Sequence, residues 1–201
     1  MENQSDLNLA NSALNLLGAD RVASLDNTIS SKTIQSVNQH LPAAKQETLR
    51  ARDWNCARGR KTLAALDATT LSLGEWTQAY RLPDDFLCMR RFISPCDDVR
   101  FAAYNVESDG DNKRVLFTTC GTNKVVYTKN LTDVNRWDSL LFDACVAKLA
   151  MKLSGPILRD FKMQQAAMVL AAQAFEEAIG VNEGEGGHDR VYDDTLVSVR
   201  F

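Results

Sequence analysis

The sequence is poor in several residue types that mark common protein classes. It has 4 Pro and 10 Gly in 201 residues, which excludes a collagen-like or low-complexity chain. Its two histidines are His40 and His188. A Ser-His-Asp or Cys-His relay needs a positioned imidazole base, and neither histidine stands in a supporting motif. The five cysteines, Cys56, Cys88, Cys96, Cys120 and Cys145, are odd in number, far apart and without a CxxC pair. That spacing forms no zinc box. It fits reduced thiols in a protein assembled in a cytoplasm. There is no basic surplus: 23 Lys and Arg face 26 Asp and Glu, for a net charge of −3. A free-standing nucleic-acid binder is normally basic. Long apolar runs are missing as well. The least polar stretch, Leu140 to Leu153, is broken by Asp143, Lys148 and Lys152, so no membrane span is expected. The first residues, Met-Glu-Asn-Gln-Ser-Asp, hold neither a basic nor an apolar leader segment, and no secretory signal is expected. No Walker loop, GxGxxG or HExxH occurs, so no cofactor, metal or enzymatic activity is predicted.

What is present is ordinary globular material. Hydrophobic residues make up 45 % of the chain, too many for disorder throughout. A chain of this length usually makes one domain and buries roughly 70 % of its unfolded surface. Helix is predicted over residues 5–17, where Leu7, Ala10, Leu14 and Leu17 keep a 3–4 spacing and Gly18 supplies the stop. A second helix is predicted over 30–52, with a kink or break at Pro42. It runs into a basic tract of Lys45, Arg50, Arg52, Arg58, Arg60 and Lys61. A β-rich region is expected over about residues 70–130, from the alternation at 76–82 and from strand-like stretches at 99–106, 114–119 and 124–128. Helices over 138–153 and 159–179 follow, the first capped by Asp138 and stopped by Gly155-Pro156, the second rich in alanine. Residues 181–201 read as an extended C-terminal arm. An acidic Gly/Glu spacer there leads to an apolar end with Val191, Tyr192, Leu196, Val197, Val199 and Phe201. The fold class is therefore α+β: a bundle of about four helices with an inserted β-rich region, forming one domain over 1–180 and an arm over 181–201.

The acidic doublets Asp84-Asp85, Asp97-Asp98 and Asp193-Asp194 are the nearest approach to paired catalytic carboxylates. Neighbours on an extended chain point apart, which favours solvated turns. One reading of these doublets, a protein that binds or hydrolyses polysaccharide, would use Asp84 or Asp97.

Four tracts read together carry a family pattern. They are Asn11-Ser-Ala-Leu-Asn-Leu-Leu-Gly18 with Val22-Ala-Ser-Leu-Asp26; Thr48-Leu-Arg-Ala-Arg-Asp-Trp54-Asn55-Cys-Ala57; Trp76, Ala79-Tyr80 and Leu82-Pro83-Asp84-Asp85; and Tyr127, Asp133, Trp137-Asp138 and Phe142. In order and spacing the sequence resembles the tail tubular protein A family, the head-to-tail adaptors of short-tailed bacteriophages. Cys56 stands where the family usually has Phe, and Asp53 where Pro is common. The resemblance implies that Leu14, Gly18, Trp54, Asn55, Trp76, Tyr80, Pro83 and Trp137 are structural. It implies a homo-oligomeric, dodecameric ring with a portal protein above and a nozzle of tubular protein B type below. Double-stranded DNA would pass through the bore without specific binding. The protein would reside in the neck of the virion after assembly in the host cytoplasm. Twelve copies at −3 each would carry −36, and such a wall repels phosphate. The family's C-terminal arm contacts the portal, so the resemblance assigns that contact to residues 181–201. Strand addition or groove filling by the arm's apolar end would suit such docking.

Overall fold

The computed structural model describes residues 2–26, 28, 31–66, 74–93, 103–109, 111–119, 123–158 and 161–185, with side chains from residue 6 to residue 181. The chain is an α+β protein. Four helices flank, in sequence, a set of strands arranged as two antiparallel sheets.

Helix α1 (Glu2–Leu16) buries Leu9, Ala10, Ala13 and Leu14. Gly18 ends it in the left-handed region at φ +66°. The N–H of Ala19 donates to the Leu14 carbonyl, and that of Gly18 to Asn15, both at 3.0 Å. This pattern satisfies carbonyls that the helix end leaves open, and it needs positive φ at Gly18. Asn11 fixes the next segment. Its side chain donates to the Val22 carbonyl at 3.0 Å and accepts from the Val22 N–H at 2.9 Å.

Helix α2 (Lys32–Ala51) runs past Pro42 without interruption, so the break expected there does not occur. Pro42 is exposed, and the helix bears the one backbone hydrogen bond that the proline removes because its opposite face is packed in the core. The buried face carries Ile34, Val37, Leu41, Ala44, Thr48 and Leu49.

A short 3₁₀ turn, Asn55–Ala57, leads into β1 (Arg58–Thr62) and β2 (Ala64–Ala65). Strand structure therefore begins at residue 58, well before the position near 70 predicted from alternation. The remaining strands are β3 (Gln78–Arg81), β4 (Phe86–Phe92), β5 (Tyr104–Ser108), β6 (Arg114–Thr118) and β7 (Lys124–Lys129). One sheet has the order β1-β7-β4 and the other β2-β3-β6-β5. Side chains from both sheets meet in a common core of Leu63, Tyr80, Leu82, Phe86, Leu116, Val125 and Tyr127. The other face of the second sheet buries Ala79, Val115 and Phe117, with Trp76 and Leu66 packed against them.

Helix α3 (Ser139–Ile157) is central: α1, α2 and α4 all pack against it. Asp138 caps it by accepting the Leu141 N–H at 2.7 Å. The expected stop at Gly155-Pro156 is absent; α3 continues to Ile157. Both residues are exposed, and a proline in the last turn removes one helical hydrogen bond, the one that would reach the Lys152 carbonyl. Helix α4 (Phe161–Glu185) likewise passes through Gly180, beyond residue 179 where an end was predicted. It therefore includes the first residues of the segment read as an extended arm.

The main helical core joins Leu9, Leu14, Val37, Leu41, Cys145, Leu149 and Leu153 with Ala171 of α4. A second core ties the helices to the sheets through Leu49, Trp54, Ala57, Leu87, Leu131, Leu141 and Ile179.

Candidate interaction surfaces

The residues singled out by the family pattern lie in cores and turns. Leu14 and Trp54 are fully buried, and Tyr80 nearly so. The indole of Trp54 donates to the Thr48 carbonyl at 2.7 Å. The indole of Trp137, half-buried, donates to the Leu131 carbonyl at 3.1 Å. Each indole thus reaches back six residues, satisfying its one polar group while its rings join the core. Asn55 opens the 3₁₀ turn before β1. Pro83 accepts the Phe86 N–H at 3.0 Å, closing the turn into β4. Trp76 lies against the outer face of the second sheet.

The sites with chemical potential are dispersed. Asp84 is exposed, and Asp85 accepts the Tyr127 hydroxyl at 2.9 Å. Burial, with this contact behind it, pushes the Tyr127 phenol up to about 12. His40 is half-buried on α2. Cys145 is fully buried, and burial raises its thiol to about 12. Burial also raises the half-buried Cys56. Such thiols are poor nucleophiles. Among the described residues no group of His, Cys, Asp or Glu is arranged to hold a metal. None of the described helices is long and apolar enough to cross a membrane. Asp97, Asp98, His188, Asp193 and Asp194 lie outside the described residues.

The basic tract divides among several partners. Lys45 pairs with Asp6 at 2.5 Å and donates to the Thr132 carbonyl at 3.2 Å. Arg58 forms a two-pronged contact with Asp53, at 3.3 and 3.0 Å. Arg60 and Lys61 are exposed on β1. On the neighbouring helices Glu47 accepts from Lys152 at 2.7 Å.

The conspicuous surface is on α4, and the sequence reading did not single it out. Phe161 is 74 % exposed, Leu170 57 %, Met163 56 %, Val169 52 % and Met168 44 %. The signal was available: from Phe161 to Phe175 the sole charge is Lys162. A helix apolar on all sides is normally covered on all sides. Ala171 and Ala178 lie on the buried line of this helix, packed in the cores. Beside α4 lies an open groove of about 370 Å³, lined by Leu16, Leu140, Val146, Ala174, Ala178 and Val181, with Asp143 and Glu177 as its charged members. The arm residues Val191, Tyr192, Leu196, Val197, Val199 and Phe201 lie outside the described residues.

No protein-family model matches the chain, and no curated protein matches it.

Proposed function

We propose that the protein is a structural virion component, a head-to-tail adaptor of the tail tubular protein A type. The observation that carries this reading is the position of the family-like tracts. Asn11 ties α1 to Val22, and Trp54 and Trp137 pack where the helices meet the sheets. Tyr127 ties β7 to Asp85 in the turn before β4. A pattern scattered over more than a hundred residues thus coincides with the joints of one architecture. In this reading the four helices are a bundle and the strands an insertion between its second and third members. Twelve copies form a ring between portal and nozzle, lining part of the DNA ejection conduit without specific binding. The arm starts beyond Glu185, and Val191, Tyr192, Leu196, Val197, Val199 and Phe201 dock on the portal. The chain acts by binding and not by catalysis.

The decisive experiment is electron cryo-microscopy of the particle that carries the chain. The expected result is a twelve-fold ring of this protein at the neck, directly below the portal. Finding it elsewhere in the particle, or not at all, overturns the reading. Deleting residues 186–201 is expected to abolish attachment to the particle's purified portal; unchanged attachment removes the docking role of the arm.

A further inference from the structure

The two sheets are joined along one side only. There β1 and β2 are successive stretches of one segment, parted by Leu63 alone. On the other side β4 ends one sheet and β5 the other, and neither has a second partner among the described strands. Between them opens a groove of about 490 Å³, with Leu87 and Met89 on one wall and Tyr104 and Val106 on the other.

The pairing of β5 decides which of its backbone groups face this groove. The Asp109 N–H donates to the Lys113 carbonyl at 2.9 Å, so residues 105, 107 and 109 bond toward β6. The Arg114 carbonyl turns the other way and accepts the Leu82 N–H at 3.1 Å. Tyr104, Val106 and Ser108 therefore direct their backbone groups outward. The Val106 N–H is met by the Asn105 side chain at 2.9 Å. An edge of this kind accepts an added strand.

The groove is also charged. Arg50 lines it with no ion pair among the described residues. Arg114 lies over the Phe86 ring and donates to the Leu87 carbonyl at 3.2 Å. Glu107 is the one carboxylate in the lining, and it accepts the Asn105 amide at 2.7 Å. Two guanidiniums against one carboxylate leave a positive balance.

A matching segment begins close by. Residues 195–201, Thr-Leu-Val-Ser-Val-Arg-Phe, have the pattern of a half-buried strand, with Val197, Val199 and Phe201 on one face. Asp193 and Asp194 stand at its head. Ile179 of α4 packs in one core with Leu49 and Leu87, next to the groove. From Ile179 the helix runs about 9 Å to Glu185. Residues 186–194 reach up to about 30 Å when extended, more than the return requires.

We propose that residues 195–201 add to the free edge of β5 within their own chain, filling the groove against β4, with Asp193 and Asp194 facing Arg50 and Arg114. The contact does not rest on the adaptor reading. On that reading it is the resting place of the arm, and the portal competes for the same apolar side chains.

The test is hydrogen exchange read by mass spectrometry on the full chain, with circular dichroism as the check on folding. Amides of residues 195–199 are expected to exchange about tenfold or more slowly than a free chain. Val197→Asp combined with Val199→Asp is expected to remove that protection and to speed exchange at Tyr104 and Ser108. Deleting residues 186–201 should have the same effect on β5, and it carries the test if the double variant misfolds. Arg50→Glu is expected to speed exchange of the arm about two- to fivefold. An arm that exchanges like a free chain, or β5 amides that keep their rate in the variants, overturns the proposal. Protection that fades on dilution assigns the groove to the arm of a second copy and overturns the own-chain contact. A protected arm in a protein that fails to attach to purified portal counts against the adaptor reading and leaves this contact standing. Attachment by a chain whose free arm is unprotected does the reverse.

Discussion

Gly59 lies under the ring of Tyr127. The two residues are cross-strand partners in the β1–β7 ladder, and a Cβ on Gly59 would sit 2.7 Å from the ring's Cζ atom. No real Cβ tolerates that approach, and the buried ring is held at its far end by Asp85. Gly59→Ala is therefore expected to cost about 1–3 kcal/mol through overpacking. Urea unfolding reads the loss. A double-mutant cycle with Tyr127→Leu is expected to be non-additive, because the smaller side chain makes room for the methyl group. A wild-type urea midpoint for Gly59→Ala would contradict the close approach.

The same tyrosine gives stability an alkaline dependence. Its phenol is raised to about 12 in the folded protein, first by burial and then by the Asp85 contact. An unfolded tyrosine titrates near 10. Between about pH 10 and 12 the unfolded chain gives up this proton and the folded chain keeps it. Stability contributed by Tyr127 is thus complete below pH 10 and is lost as the pH rises toward 12. Denaturant midpoints measured across that window are expected to fall more steeply for wild type than for Tyr127→Phe. Parallel slopes would rule out the raised phenol.

These relationships also separate what the sequence made legible from what it hid. The helices were readable because periodic apolar residues, Gly18 and Asp138 are local signals, and all three act locally here. Strand β1 was not. It reads Arg-Gly-Arg-Lys-Thr, only Gly59 in it is buried, and it is a strand because Tyr127 and its neighbours on β7 offer a ladder. Strand β4 was missed for a related reason. Two register shifts against β7 break its alternation, so its burial follows the partner and not a period of two. Gly155 and Pro156 misled in the other direction: a proline in the last turn costs one hydrogen bond and crowds the carbonyl one turn back, and the packing of Leu149 and Leu153 on the same helix outweighs that. The apolar flanks of α4 were legible as composition. Which of its apolar residues stay uncovered depends on α3, which the pattern alone did not supply.

Cys145 is expected to be chemically silent in the folded protein. Its side chain is fully buried in the helical core, and its thiol is raised to about 12, chiefly by that burial. A variant keeping Cys145 as its sole cysteine should resist a thiol reagent at pH 8 and react fully in denaturant. Rapid labelling of the folded chain would mean that α3 does not pack as described.

Arg90 clamps the end of α2 from the neighbouring sheet. Its Nε donates to the Thr128 hydroxyl at 2.7 Å. Its Nη2 reaches the carbonyls of Leu49 and Arg50, both at 3.2 Å, and of Arg52 at 2.5 Å. A helix C-terminus leaves carbonyls unpaired and carries partial negative charge, so a guanidinium there satisfies both needs. Hydrogen bonds to charged groups contribute about 1.5–3 kcal/mol, and Arg90→Met is expected to lose about that much. Lysine has a single ammonium and cannot span the hydroxyl and the carbonyls together, so Arg90→Lys should recover only part of it. Thr128 is fully buried, and Arg90→Met leaves its hydroxyl without this donor. Adding Thr128→Val to Arg90→Met should therefore cost less than the two single losses combined. Hydrogen exchange locates the effect: amides of the last turn of α2 and of the Trp54 segment should lose protection before those of α1. Uniform loss across all four helices would show that Arg90 supports the fold in general and does not cap α2.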